Sequence, residues 1–180
     1  MGTDTFLSFV LAFKKVSVPI FTIVVFLSVN TDCFSKELIK IDQTLAQLFG
    51  KSANFEKNSV SLNEERIIRY SAKEKNVVLG YVYEDTVMGK WGPIHYLVGL
   101  NPAGDILGVV ILDYQEIRGR GIAKNRFLRQ YVGKNASHPL QLGKDIDGIT
   151  GATISSRALT DGVKKLLDIH KIVHAEKLYL

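Results

Sequence analysis

Apolar residues fall along this chain in two rhythms, and the switch between them predicts its elements. Leu38, Ile39, Ile41, Leu45, Leu48 and Phe49 recur at helical spacing, and Gly50 is a natural stop, so a helix is expected over 36–49. Ser61, with Glu64 three residues on, has the form of a capping box and predicts a second short helix over 61–70. After Lys75 the composition turns to β-formers. Residues 76–88, 94–100 and 105–114 read as strands, with Asn101-Pro102-Ala103-Gly104-Asp105 as a turn. A short helix is expected over 122–131, stopped at Gly133. A longer one follows over 155–169, with Leu159, Val163, Leu166, Leu167 and Ile169 on its apolar face. Helices, then strands, then helices give an α+β class: an antiparallel, half-barrel-like sheet flanked by helices.

The N-terminus has a different pattern. Two apolar runs, Phe6 to Phe13 and Val16 to Val29, are separated by Lys14-Lys15 and closed by Asn30-Thr31-Asp32. A basic pair, an apolar stretch and then small and polar residues read as a signal peptide. Neither run reaches the roughly 18–20 residues of a clean membrane span. Residues 1–35 are therefore expected to direct export, with retention as a membrane anchor left open.

The formal net charge of +5 survives removal of 1–35, because Lys14 and Lys15 offset Asp4 and Asp32. It suits an anionic membrane or an acidic partner, and equally a protein with neither. Cys33 is the single cysteine, which excludes an intrachain disulfide and any cysteine-built metal or iron–sulfur site. Arg118, Arg120, Lys124, Arg126, Arg129 and Lys134 form a basic cluster, either a docking face or a solvated helix face. No nucleic-acid-binding signature accompanies it. His170 and His174 read as surface histidines, and with no carboxylate placed beside them no metal site is assigned. Tyr81, Tyr83, Trp91 and Tyr114 are candidates for stacking on a ring or for the core. No catalytic triad has interpretable spacing.

Chemistry concentrates in Asp147-Gly148-Ile149-Thr150-Gly151-Ala152-Thr153-Ile154-Ser155-Ser156. Small residues there would let another molecule approach the backbone. Hydroxyls and free N–H groups crowd the first turn of the last helix, where the dipole favours an anion. On local physics the segment is either a phosphate site or an ordinary helix cap.

The pattern Asp147-x-x-Thr150-Gly151-Ala152-Thr153 resembles the flavinylation motif D-x-x-[S/T]-G-A-T of the FMN-binding domain family, which includes the flavin subunits of the Rnf and Nqr electron-transport complexes. The resemblance covers roughly residues 77–168. It implies that a dedicated flavin transferase moves FMN from FAD onto Thr153 as a phosphoester, with Asp147, Thr150, Gly151 and Ala152 in the recognition segment and Ser155 beside it. Glu116, Gly119 and Gly121 match the family's E-T-P-G-L-G segment. Ile117, Arg118 and Arg120 depart from it and point to a free-standing relative serving another electron-transfer route. Arg118 or Arg120 is a candidate for stabilising reduced flavin, or a solvated arginine.

The resulting expectation is a signal or anchor over 1–35, a helical part over 36–75 and an FMN-binding domain over 76–180. The chain would act on the periplasmic side of a membrane as a carrier with covalent FMN. Its partners would be the flavin transferase and a membrane or extracytoplasmic redox protein. A redox-sensing module of the same fold and a flavin-dependent reductase are the alternatives.

Overall fold

Five strands run in sequence order across one antiparallel sheet: β1 (Asn54–Leu62), β2 (Glu65–Glu74), β3 (Val77–Met88), β4 (Pro93–Leu100) and β5 (Ile106–Tyr114). The computed structural model describes residues 40–62, 65–114 and 121–176. The expected export segment over 1–35, the start of the first expected helix, and Glu116, Arg118, Gly119 and Arg120 lie outside the described residues. Helix α1 covers 40–49, α2 is Asn125–Leu128 followed by a 3-10 turn at Arg129–Tyr131, and α3 is Thr153–Glu176.

The α+β class and the antiparallel sheet are as expected. The helix expected over 61–70 is absent; that segment spans the end of β1 and the start of β2. The two strands pair from Asn54↔Lys73 to Leu62↔Glu65. The reason is that both sheet faces are covered, so neighbouring apolar residues in β2 serve opposite faces. Ile67 joins the cluster under α3, while Ile68 and Tyr70 join the cluster under α1. Such a doublet imitates helical spacing. Lys75 and Asn76 make the β2–β3 turn with φ of 47° and 67°, the two-residue form that matches strand twist. The turn at Asn101–Asp105 forms as expected: Gly104 N–H donates to Asn101 O at 3.0 Å, with Gly104 at φ 88°.

One face of the sheet receives α1. Its Ile41 and Leu45 pack on Val82, Leu97 and Leu112, and Lys40 Nζ donates to Leu112 O at 2.7 Å. Gly99 and Gly108, facing each other on β4 and β5, leave room for Leu48; a Cβ on Gly99 would lie 2.6 Å from Leu48 Cδ1. The opposite face receives α3 through the five residues expected on its apolar face, each at most 3% exposed. Burial of each is worth about 1.5–3 kcal/mol, far more than helix propensity supplies.

Helix α3 meets the sheet most closely at Gly162, where a Cβ would lie 2.4 Å from Tyr96 Oη and 2.7 Å from Val87 Cγ1. The tyrosine is held there, because its hydroxyl donates to Asp85 Oδ2 at 3.1 Å and Asp85 pairs with Lys165 at 2.9 Å. Gly162→Ala is therefore expected to destabilise the fold. Overpacking costs about 1–3 kcal/mol and outweighs the roughly 1 kcal/mol gained in helix propensity. A lowered urea midpoint with an unchanged slope checks this.

Candidate functional site

The segment 147–156 enters α3 through a turn whose parts are each fixed by sequence-distant groups. Gln130 grips the backbone of Asp147 from both sides: Asp147 N–H donates to Gln130 Oε1 at 2.8 Å, and Gln130 Nε2 donates to Asp147 O at 3.2 Å. Ile149 lies over Gly121, where a Cβ would meet the isoleucine side chain at 2.8 Å. Ile149 N–H also points to Ser156 Oγ at 3.4 Å. Ala152 N–H closes the turn on Ile149 O at 2.9 Å. Gly151 sits third in that turn with φ 83°, where a side chain would be strained.

The helix then begins with Ser156 N–H bonded to Ala152 O at 2.8 Å. The cap position thus falls to Ala152, whose side chain carries no acceptor, and Thr153 is the first helical residue. No acidic residue occupies the first turn, where the helix dipole favours an anion. Asp147, Thr150, Gly151 and Thr153 are exposed, whereas Ala152 is buried. Ser155 is fully buried, and its Oγ accepts Lys90 N–H at 3.2 Å.

That last bond joins the segment to a turn the sequence does not link to it. Gly89-Lys90-Trp91-Gly92 forms the β3–β4 turn, closed by Gly89 N–H on Gly92 O at 2.9 Å. The turn is pinned to the start of α3 across 65 residues. Trp91 is 64% exposed, with Lys90 Nζ 5.0 Å from its ring centroid, and Ile154 is 56% exposed. Tyr81 and Tyr83, by contrast, lie in the core. The bounding glycines mark the turn in the sequence, but nothing there marks its partner. Beside the Asp147 side of the segment, a cleft of about 440 Å³ is lined by Lys124, Arg126, Phe127, Gln130, Asp147 and Ile149 among others.

An exposed hydroxyl at a helix N-terminus thus lies close to a turn that carries an exposed indole. Residues 89–168 match the FMN-binding domain model. That stretch is similar to the FMN-binding domain family. The match begins at the Gly89 turn and ends inside α3.

Curated proteins similar to this chain carry consistent descriptions. One is a subunit of the proton-translocating ferredoxin:NAD(+) oxidoreductase complex of Clostridium ljungdahlii, 34% identical over 107 residues, which is 55% of this chain and 57% of that protein. A second is a subunit of the Na(+)-translocating ferredoxin:NAD(+) oxidoreductase complex of Acetobacterium woodii, 31% identical over 118 residues, 60% of this chain and 57% of that protein. A third is a subunit of an ion-translocating oxidoreductase complex of Haemophilus influenzae, 33% identical over 108 residues, 53% of this chain and 52% of that protein. The chain thus spans about half the length of the curated relatives it matches. Among the described residues no helix is long and apolar enough to cross a membrane, and no cluster of three metal-ligating side chains occurs.

Proposed function

We propose that the chain is an exported electron carrier whose FMN is joined by a phosphoester to Thr153. The observation that carries this reading is the place of Thr153: exposed, first in a 24-residue helix, and preceded by Asp147-x-x-Thr150-Gly151-Ala152. FMN supplies the one- and two-electron chemistry when bound.

The residues of the chain do the rest. Thr153 Oγ bonds to the FMN phosphorus of FAD while the bond to the AMP oxygen breaks. AMP leaves with that electron pair, and the hydroxyl proton passes to the medium. The helix dipole, with no acidic residue in the first turn, then favours the phosphate charge. Trp91 offers a face for the ring to stack on. A covalent tether keeps a flavin from being lost where free flavin is scarce, which suits export through residues 1–35. The partners are the flavin transferase and a membrane or extracytoplasmic redox protein. Similarity to subunits of ion-translocating complexes makes a membrane oxidoreductase the leading candidate.

The test is intact-mass spectrometry of the full chain expressed beside a flavin transferase, followed by rapid reduction and reoxidation. A gain of one FMN minus water, with flavin that cycles with electron donors and acceptors, is expected. An unmodified mass despite active transferase overturns the tether. Efficient turnover of a small substrate by the purified protein would make it a reductase instead.

Gln130→Ala provides a second check. Two hydrogen bonds to Asp147 are lost, each worth about 0.5–1.5 kcal/mol, so the segment frays before the transferase engages it. Flavinylation is expected to slow roughly tenfold, with the thermal midpoint falling by a few degrees, at most about 10 °C. A time course of flavin fluorescence on denaturing gels measures it.

A further inference from the structure

At the opposite end of α3, about 25 Å from Thr153 by helix rise, lies a larger cleft of about 750 Å³. It opens between the Asn101–Asp105 turn, residues 135–137 and the last turns of the helix. His170, expected at the surface, is only 6% exposed and borders it. Its Nδ1 lies 3.0 Å from Tyr83 Oη, itself fully buried. Its other edge lies against Gly104, where a Cβ would sit 3.4 Å from Nε2. Among the described residues Nε2 has no hydrogen-bond partner.

The proton on this ring can be placed by following donors. The Arg69 guanidinium stands near Tyr83 Oη, its positive charge acting on the phenol. A positive charge facing the phenol oxygen turns the Tyr83 O–H toward His170 Nδ1, 3.0 Å away. The His170 ring proton is then on Nε2, at the cleft. Among the described residues no carboxylate lines the cleft. The charged or titratable groups acting on His170 are His174 and Arg69. Asp105 is occupied by Asn101 and Asn135, whose Nδ2 atoms donate to it at 3.0 and 2.8 Å. Lys171 adds a cation at the rim and makes no ion pair among the described residues. Leu167, Ala136 and Pro102 give the remaining wall an apolar character.

We propose that this cleft binds a small aliphatic carboxylate, one oxygen on His170 Nε2–H, the other on Lys171 Nζ, and its carbon chain against Leu167 and Ala136. One ring N–H in the cleft and one flexible ammonium at its rim match the two oxygens of a carboxylate in number; a phosphate dianion would keep oxygens unmatched. The positive surroundings, Arg69 included, oppose a metal cation despite the helical spacing of His170 and His174. The helix dipole, which disfavours anions at a C-terminus, fades within the last turn, and His170 lies more than one turn before the end at Glu176. The site is independent of the flavin.

The test is a titration of the ¹⁵N-histidine-labelled full chain, with and without FMN, using sodium butyrate as the probe. Saturable shifts of the His170 Nε2 resonance are expected, with a dissociation constant on the order of millimolar. Lys171→Gln is expected to weaken binding roughly fivefold and Lys171→Arg to restore it, and neither exposed change threatens folding. Three results overturn the proposal: no saturation with butyrate, equal affinity in Lys171→Gln, or saturation by zinc chloride that displaces butyrate.

Discussion

A Thr153→Val chain produced beside an active flavin transferase is expected to keep its unmodified mass and to carry no covalent flavin. Valine preserves the branched shape and removes the only atom able to form the phosphoester. The change is clean because Thr153 is exposed and its side chain makes no hydrogen bond among the described residues. Its stability should shift by about 0.5 kcal/mol or less. Neighbouring hydroxyls cannot replace it. Ser155 and Ser156 are fully buried, and their Oγ atoms accept from Lys90 and Ile149 backbone N–H groups. Thr153→Ser retains the nucleophile at the same helical position and should accept FMN. Thr150 is the one exposed hydroxyl close by in sequence among the described residues, but it lies outside the helix and away from its positive dipole end. A Thr153→Val chain that still gains the FMN mass, with the label mapped to Thr150, would move the attachment site and with it the reading of the helix terminus.

The parts of this site differ in how far they could be read from sequence, and the difference follows contact distance. Helix α3 was legible from the helical spacing of its apolar residues, although it runs on to Glu176, and strands β3 to β5 from runs of β-formers broken by Gly89 and the Asn101–Asp105 turn. The turn and helix start at 147–153 were legible because they are local in sequence. What the sequence left open was whether Thr153 caps the helix; the bond from Ser156 N–H to Ala152 O places it inside. Strand β1 was not legible because its run Glu56-Lys57-Asn58-Ser59 is polar throughout, with few apolar positions to reveal a period of two. The pinning of the Trp91 turn, the Gln130 grip and the Tyr83–His170 pair escaped for another reason. They join residues 65, 17 and 87 positions apart, and no periodicity encodes such pairings. His170 in particular sits on a helical face with its buried neighbours, which spacing alone cannot distinguish from the next solvated position.

That buried histidine sets the second large expectation, a loss of stability on mild acidification. Burial holds the His170 imidazole down to about 4 from its usual 6.5, with His174 and then Arg69 adding to the effect. The groups around it are Arg69 on β2, Tyr81 and Tyr83 on β3, and Lys171 and His174 on α3, with no carboxylate among the charges acting on it. The unfolded chain takes up a proton at this residue near pH 6.5, while the folded chain resists until about 4. The unfolded state therefore binds more protons across that window, and stability falls as pH drops through it. Above the window the ring is neutral in both states and contributes no pH dependence; below it both are protonated and the loss is complete. The span between the two values corresponds to about 3 kcal/mol, a large part of the margin of a domain this size. The carboxylates held low, Glu84 beside His95 and Asp105 among its amide donors, add their losses further down, as pH falls through and below their ordinary values near 4. Urea unfolding of the full chain at pH 7, 6, 5 and 4 should show most of the His170 step before the carboxylates contribute. His170→Gln keeps a side chain able to face Tyr83 and cannot take up the proton. It should lower stability at pH 7 yet flatten the profile between about 6.5 and 4. A profile in the variant as steep as in the parent would assign the acid sensitivity to His174 or to the carboxylates instead.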